Sequence, residues 1–344
     1  MKYLQMSFLL LLLTTFSFCS KQGSTSESNG TPPSDLSVSA TVSTDSSGNV
    51  TFTSSAANAV SYDYNFGNGI YQTVPLGVVS YKYPASGSYT VNVTAKSAGG
   101  LTLSKSVQVN VAVAVVMLWS DEFSTTGSPD PAKWGYDIGT GSGGWGNKEL
   151  EYYTNRTTNA AVSNGTLKII ALRENYSGSA YTSARLLTKD KFSFKYGKIE
   201  VRAKLPAGAG AWPAIWMLGN NFQTAPWPAC GEIDIMEQKG SEPDKIYSTL
   251  HHPGHSGGNG DGSTRTISNA TTDFHLYAAE WSATTIKFLI DDVVYYTFSN
   301  YSSLPFNQNF FVILNVAMGG NFAGSVDPSV TSAIMEIDYV RVYQ

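Results

Sequence analysis

The chain has 344 residues, of which 42% are hydrophobic and 14% charged, so it is long enough for two domains with buried cores. Its formal net charge of −4 provides no basic field, which argues against nucleic acid as a partner and leaves uncharged polymers open. Twenty tyrosines, 16 phenylalanines, seven tryptophans and 32 glycines favour an all-β protein rich in turns.

The N-terminus, MKYLQMSFLLLLLTTFSFCS, has one lysine before an apolar run that is too short to span a bilayer and is typical of an export signal. The run ends at Cys19, and a polar Pro/Ser/Gly-rich segment follows. This arrangement resembles a bacterial lipoprotein signal, with residues 1–19 as signal, Cys19 as the lipidated residue and residues 20–35 as linker. Plain secretion is the alternative. We expect an exported protein that meets a membrane only through this lipid anchor.

Cys230 is the only other cysteine. If Cys19 is lipidated or removed, no disulfide can form, and stability has to come from packing. We expect Cys230 to be a buried small hydrophobic residue rather than a reactive thiol.

Residues 36–113 alternate β-branched and polar residues in short runs separated by turn residues, which predicts a small antiparallel sandwich. Two segments, YDYNFGNGIY (62–71) and YKYPASGSYTVNVTAKSAGG (81–100), resemble the PKD domain, an immunoglobulin-like module. No cluster of carboxylates or histidines occurs in this part of the sequence. We expect a spacer, with weak carbohydrate binding as the alternative.

Residues 117–344 contain many short strand patterns and no long helical period. The clearest lie at 166–174, 195–206, 285–298, 310–318 and 336–343, and Asp291-Asp292 has the residue type of a hairpin turn between two apolar runs. Strands without βαβ spacing predict a large antiparallel β-sandwich.

The segment GEIDIMEQKG (231–240) carries Glu232, Asp234 and Glu237 within six residues. Alternation places Glu232 and Asp234 on one face of a strand and Glu237 on the other. A β-bulge at residues 235–236 would bring all three to the same face, and bulges are common beside active sites. We therefore expect three acids along one side of a strand that crosses a concave sheet.

Like charges a few ångströms apart raise the pKa of at least one of the carboxyls, so one acid tends to stay protonated. Retaining glycoside cleavage needs this division between an ionised nucleophile and a protonated acid. The spacing does not say which glutamate attacks. A half-exposed acidic strand or a Ca²⁺ site are the alternatives for such a motif.

GEIDIME resembles the bulged active-site strand of laminarinase-like members of glycoside hydrolase family 16. Further segments of residues 117–344 appear in the order of that family: LWSDEF, GGWGNKELEYYT, YTSARLLTKDKFSFKYGKIEVRAKLP, WPAIWMLG, WPACGEIDIME, STLHHPG, DFHLYAAEW, ILNVAMGGNF and IDYVRVYQ. The resemblance implies a β-jelly roll of two curved antiparallel sheets with an open glycan cleft.

The resemblance also implies roles for single residues. Glu232 is similar to the family's nucleophile, Glu237 to its general acid/base and Asp234 to its auxiliary aspartate. The residues implied to bind sugar are Asn147, Arg185, Trp212, Trp216, Trp227 and His251. Tryptophans in an open cleft suit the apolar faces of sugar rings, although Trp216 also fits a core position.

The sequence has two candidate metal sites. The resemblance implies a structural calcium held by Glu122, Asp338 and the carbonyl of Gly165, while catalysis needs no cofactor. The pattern H-H-x-x-H in His251–His255 has zinc-like spacing, but Pro253 and Gly254 break any helix there. We expect a loop that lines the cleft at this point.

The sequence therefore predicts an exported, monomeric endo-acting hydrolase that cleaves β-1,3-glucans of the laminarin type with retention of configuration. Mixed-linkage β-1,3-1,4-glucan is a further candidate substrate. A galactan hydrolase of the same fold, acting on agar or carrageenan, is one alternative. A non-catalytic glycan-binding protein is another, although such a protein would be expected to have lost Glu232 or Glu237.

Overall fold

The computed structural model describes residues 30–344, which form two compact units divided between Ala114 and Val115. The expected signal peptide, Cys19 and most of the expected linker lie outside the described residues. No helix within the described range has the length and apolar character needed to cross a membrane.

The N-terminal unit is a small β-sandwich. Its strands are β1 (Ser34–Val42), β2 (Asn49–Ala57), β3 (Ser61–Asn65), β4 (Tyr71–Val74), β5 (Val78–Lys82), β6 (Gly87–Lys96) and β7 (Thr102–Val111). One sheet has the order β1-β2-β5 and the other β4-β3-β6-β7. Alternate residues such as Phe52, Tyr64 and Val91 are fully buried in the core between them. This agrees with the sandwich predicted for residues 36–113, and β1 begins within the last residues of the expected linker.

The C-terminal unit contains the remaining strands. These are β8 (Met117–Asp121), β9 (Gly135–Asp137), β10 (Glu151–Tyr153), β11 (Ala160–Ser163), β12 (Thr166–Tyr176), β13 (Ser179–Ser183), β14 (Arg185–Leu187), β15 (Gly197–Lys204), β16 (Ala211–Gly219), β17 (Glu232–Gln238), β18 (Lys245–His251), β19 (Asp261–Thr266), β20 (His275–Trp281), β21 (Thr285–Ile290), β22 (Val293–Ser299), β23 (Phe310–Met318) and β24 (Ser332–Tyr343). Helical structure is limited to irregular turns at Gly144–Lys148 and Gly257–Asn259 and the single turn α1 (Gly320–Ala323).

These strands form two sheets. The ten-stranded sheet has the order β10-β13-β12-β24-β15-β20-β21-β22, with β11 and β8 pairing with β12 and β24. The seven-stranded sheet has the order β19-β18-β17-β16-β23-β14-β9. A continuous apolar core that draws residues from both sheets fills the space between them. The all-β prediction is confirmed.

The burial pattern follows from the sequence. On β15, Ile199, Val201 and Ala203 are buried and alternate with more exposed residues, as a strand with one face on the core requires. The β23 segment is buried throughout, which fits its place in the interior of the seven-stranded sheet. Asp291 and Asp292 form the tight turn between β21 and β22 with φ of 50° and 61°, as their residue type predicts.

Candidate active site

The catalytic-strand candidate, β17, lies inside the seven-stranded sheet between β16 and β18. On the β16 side, Asp234 pairs with Trp216 and Met236 with Ile215, so one residue of β17 is extra. On the β18 side, Asp234 pairs with Thr249 and Glu237 with Tyr247, which shows the same extra residue. The bulge therefore lies between Asp234 and Glu237, where the carboxylate spacing predicts it.

The bulge decides which side chains share a face. On β16, which has no bulge, every second side chain faces the same cleft. These side chains are Trp212, Ala214, Trp216 and Leu218. The last three of these pair with Glu237, Asp234 and Glu232, in that order. All three acids consequently line the same cleft, while Ile233, Ile235 and Met236 are buried in the core.

The cleft has a volume of about 740 Å³, within the usual range of ligand sites. The structure brings all of the sequence-predicted catalytic and sugar-binding residues to its wall, namely Glu232, Asp234, Glu237, Asn147, Arg185, Trp212, Trp216, Trp227 and His251. Trp145, Glu149, Tyr247, Asn315 and Phe322 line it as well and were not among the predicted residues.

Each of the three acids has a defined partner. Glu237 Oε1 accepts a hydrogen bond of 2.9 Å from Trp212 Nε1. His251 Nε2 lies 3.1 Å from Asp234 Oδ2 and 3.7 Å from Glu232 Oε1. Asp234 is buried, whereas Glu232 and Glu237 are half-buried and reach the cleft.

Burial raises the pKa of all three carboxyls above the usual range of an acid. For Glu232, desolvation is the main cause and the neighbouring charge of Asp234 the next. For Asp234, desolvation acts together with the charge of Glu237. Desolvation raises the pKa of Glu237. The hydrogen bond from Trp212 and the charges of His251 and Lys239 oppose this rise, because they favour the ionised form. Such a set holds at least one proton close to neutral pH.

Arg185 lies at the end of the cleft on β14. Its guanidinium stacks between the rings of Trp145 and Trp216, at 4.5 and 4.7 Å from their centroids, and its Nε is 3.0 Å from Asp137 Oδ2. Trp216 Nε1 also donates to Asn315 Oδ1 (2.8 Å). Trp216 is therefore half-buried and held by Arg185 and Asn315. It lines the cleft and also packs into the protein, as both interpretations of the sequence at this position predict.

Glu149 connects the predicted Asn147 to the sheet beneath it. Asn147 Nδ2 donates to Glu149 Oε1 (3.3 Å), and Tyr153 Oη–H donates to Glu149 Oε2 (3.1 Å). Asn315 Nδ2 in turn donates to the Tyr153 hydroxyl (3.0 Å). Sequence reasoning missed this network because Tyr153 and Asn315 are far apart in the chain.

The aromatic rings of the cleft differ in exposure. Trp227 is 48% exposed and its ring lies 5.9 Å from that of His251, so it offers a free face to a ligand. Trp212 is 9% exposed and packs against Phe322 at 5.0 Å. Trp212 thus exposes little of its ring to the cleft, and its indole N–H is bonded to Glu237. Cys230, just before β17, is buried as predicted, and burial raises the pKa of its thiol to about 11.

The predicted calcium ligands lie on the ten-stranded sheet. Strands β8 and β12 pair one after the other with the same edge of β24, because β15 pairs with the opposite edge. This places Glu122, which follows β8, and Gly165, which precedes β12, near Asp338. However, Arg341 donates two hydrogen bonds to Glu122 (2.9 and 2.8 Å), and Arg202 pairs with Asp338. The backbone positions fit an oxygen-ligand site, but arginines compete for the same oxygens. The calcium assignment stays a prediction.

Comparison with known proteins agrees with this architecture. Residues 35–113 match the PKD domain, and residues 147–341 match glycosyl hydrolases family 16. A β-glucanase of Rhodothermus marinus is 46% identical over 244 residues, which cover 66% of this chain and 85% of the relative.

Two solved structures are similar over the same region. The laminarinase from Rhodothermus marinus has a TM-score of 0.65 at 46% identity and covers 67% of this chain and 98% of its own. The endo-β-1,3-glucanase from Pyrococcus furiosus has a TM-score of 0.63 at 38% identity and covers 67% and 94%. With the two-sheet fold, the acid-lined cleft and these matches together, the chain belongs to glycosyl hydrolases family 16.

Proposed function

We propose that the protein is an endo-acting hydrolase of β-1,3-glucans of the laminarin type that retains anomeric configuration. The observation that carries this proposal is the bulge in β17, which brings Glu232, Asp234 and Glu237 to one face of a tryptophan-lined cleft. Membership of family 16 and the similarity to laminarinases support the same substrate class.

In the first step, Glu232 is the nucleophile. Its carboxylate attacks the anomeric carbon while the bond from that carbon to the glycosidic oxygen breaks, and Glu237 donates its proton to the departing oxygen. The product is a glycosyl ester on Glu232 and a free sugar hydroxyl. In the second step, Glu237, now ionised, takes a proton from water as that water attacks the anomeric carbon and releases Glu232.

The environment of each acid supports this division of roles. Burial raises the pKa of Glu237 and so favours the protonated form that the first step needs. Glu232 has to be ionised, and the positive charge of His251 favours that state against the desolvation that raises its pKa. Asp234 lies beside Glu232 in the register and contacts His251, so it can hold a shared proton and position the nucleophile.

The register sets how far the side chains of the two glutamates have to reach towards each other. The β16 partners of Glu232 and Glu237 are Leu218 and Ala214, which are about 13 Å apart along an extended strand. Retaining glycosidases hold their carboxyl groups about 5–5.5 Å apart, so the two side chains have to lean towards each other over the cleft.

The rest of the cleft would bind the glucan. The exposed ring of Trp227 can stack on a sugar face, while Asn147 and the stacked Arg185 can donate hydrogen bonds to sugar hydroxyls. A non-catalytic glycan-binding protein has no need for two half-buried glutamates in this position, which favours an enzyme over that alternative.

Product profiling of the purified protein tests the substrate class. We expect release of short oligosaccharides from laminarin and curdlan, weaker release from mixed-linkage lichenan and none from agarose. Release from agarose and not from laminarin would replace the glucanase with the galactanase alternative. Binding to laminarin without any product would instead favour the glycan-binding protein.

We also propose a structural calcium held by Glu122, Asp338 and the Gly165 carbonyl, because these residues lie where two strands meet on one edge of β24. Calcium should raise the Tm of protein stripped with EDTA, and Glu122→Gln should reduce that rise. An unchanged Tm on addition of calcium would mean that the arginine pairs take the place of the ion.

For the whole chain we propose export, a lipid anchor at Cys19, a monomeric state and a spacer role for the PKD domain. The apolar run before Cys19 supports the anchor. Mass spectrometry of Cys19 and of a Cys19→Ser variant tests the anchor, and size-exclusion chromatography tests the monomer. Removal of residues 1–115 should leave activity on soluble laminarin nearly unchanged if the first domain is a spacer.

A further inference from the structure

Three side chains with metal-binding chemistry meet at the base of the loop between β18 and β19. The backbone of His252 and His255 forms a narrow hairpin, with reciprocal hydrogen bonds of 2.8 and 2.9 Å, and their rings stack at 4.8 Å. Asp261, the first residue of β19, accepts from both rings, at 2.9 Å from His252 Nε2 and 3.1 Å from His255 Nδ1.

We propose that His252, His255 and Asp261 form a binding site for a divalent transition metal ion, and we take Zn²⁺ as its test ligand. One ligand atom from each of the three residues lies within 4.8 Å of the others. Two imidazole nitrogens and one carboxylate oxygen are a zinc ligand set, at about 2.0–2.2 Å from the ion, and leave one position for water. Ca²⁺ and Mg²⁺ prefer oxygen ligands and should not bind here.

The site is separate from the proposed catalytic acids. His251, the last residue of β18, lines the cleft. His252, which follows it, is not part of the cleft wall and packs against Phe298 and Phe306 at 6.0 and 5.7 Å. His252 is buried and fixed by these rings, whereas His255 is 52% exposed on its side chain and open to an entering ion.

A bound ion would join the two ends of the loop between His252 and Asp261. Within this loop, Gly257, Gly258 and Gly260 line the cleft. Glycines lose more conformational freedom on ordering than other residues, so a cross-link at the base of the loop should stabilise its folded form. The ion would thus stabilise one wall of the cleft without touching the reacting groups.

Zinc titration of the full-length protein after EDTA dialysis tests the proposal. Calorimetry should show saturable binding of one Zn²⁺, and thermal unfolding should show a rise in Tm. His255→Ala and Asp261→Asn should each weaken binding by more than about 100-fold, the upper end of the effect of losing an outer-shell partner. Affinity should also fall at acid pH, since both imidazoles have to be neutral.

His275 provides a matched control, because its Nδ1 lies 2.8 Å from Asp291 Oδ2 but it belongs to no group of three potential ligands among the described residues. His275→Ala should therefore bind Zn²⁺ like the parent protein. The proposal is wrong if Zn²⁺ does not bind saturably, or if His255→Ala and Asp261→Asn bind it unchanged. Loss of binding in Glu232→Gln alone would place the ion at the other potential cluster, Glu232, Asp234 and His251. None of these results depends on the hydrolase proposal.

Discussion

Two carboxylate sites of the C-terminal unit, one on each sheet, have opposite electrostatic surroundings. On the ten-stranded sheet, Glu122 receives two hydrogen bonds from Arg341, which hold its pKa below the usual range. On the seven-stranded sheet, no lysine or arginine of the described chain lies within ion-pair distance of Glu232, Asp234 or Glu237, and burial raises their pKa.

The difference in surroundings determines which carboxyls can hold a proton near neutral pH. An acid with an arginine partner is ionised at every working pH and contributes modestly to stability. A desolvated acid without such a partner costs stability but can exchange a proton near neutral pH, which acid catalysis requires. Glu232, Asp234 and Glu237 therefore combine two properties: they lack a strong cation within the part of the chain that the structure describes, and they line the cleft.

The largest effect should come from the acid that attacks. Glu232→Ala should lower kcat on laminarin by at least about 10⁴-fold, because no covalent intermediate can form. The matched control is Glu122→Gln on the other sheet, which should keep nearly full activity. Comparable losses of kcat in both variants would show that Glu232 contributes no more to catalysis than an acid outside the cleft.

Azide distinguishes the roles of the two glutamates. It can enter the space left in Glu232→Ala and attack the anomeric carbon directly, so turnover of an activated substrate should recover with an α-glycosyl azide as product. In Glu237→Ala, azide would attack the covalent intermediate and give the β product. A β product from Glu232→Ala would reverse the assignment.

Much of this site could be predicted from the sequence because its signals are local. Alternation located β15, a run of apolar residues located β23, and Asp291-Asp292 located a turn. The odd offset of Glu237 implied a bulge, since a regular strand cannot bring it beside Asp234. Each of these inferences uses residues within one strand or one turn.

The parts that the sequence did not reveal depend on contacts between distant strands. Arg341 and Glu122 are 219 residues apart, and Asn315 and Tyr153 are 162 apart. The H-H-x-x-H spacing was visible, but the hairpin that stacks its last two imidazoles was not, and neither was the approach of Asp261. Only the register of the folded sheets brings these partners together.

A smaller effect should appear in the pH profile. The hydrogen bond from Trp212 and the charge of Lys239 both favour the ionised form of Glu237. Lys239→Gln removes one of these, so the pKa of Glu237 should rise and the alkaline limb of kcat/KM should move to higher pH. Trp212→Phe should move it in the same direction and further, because the hydrogen bond has the stronger influence of the two.

Glu149 tests the same electrostatics with the opposite sign. Its negative charge raises the pKa of Glu237. Glu149→Gln should therefore shift the alkaline limb to lower pH. If all three variants shift the limb in the same direction, a general loosening of the cleft explains the data better than charge.

Glu151 offers a buried acid outside the catalytic set. It is fully buried, its Oε2 accepts from the Met318 N–H (2.6 Å), and burial raises its pKa well above the usual range. Because the folded state favours the protonated form, its contribution to stability is lost as pH rises through the folded-state pKa. Glu151→Gln, which keeps the acceptor without the charge, should raise Tm at pH 8 by about 2–4 °C per kcal/mol gained, with no gain near pH 4.

The arginine-held acid should show the smallest effect, and its contribution to stability should depend on pH in the opposite sense to that of Glu151. Arg341→Met breaks an exposed pair, so in metal-free buffer it should cost about 0–1 kcal/mol, which is at most a few degrees of Tm. Because Arg341 lowers the folded-state pKa of Glu122, the stabilisation is present above the unfolded-state pKa and is lost as pH falls through the folded-state value. The Tm difference between parent and Arg341→Met should therefore shrink towards acid pH, just as the gain from Glu151→Gln does. At neutral pH, Arg341→Met should lower Tm and Glu151→Gln should raise it. Plotted against pH, the two Tm differences from the parent protein should therefore both approach zero towards acid pH, one from below and one from above. Differences that do not change with pH would mean that the surroundings shift the pKa of neither carboxyl.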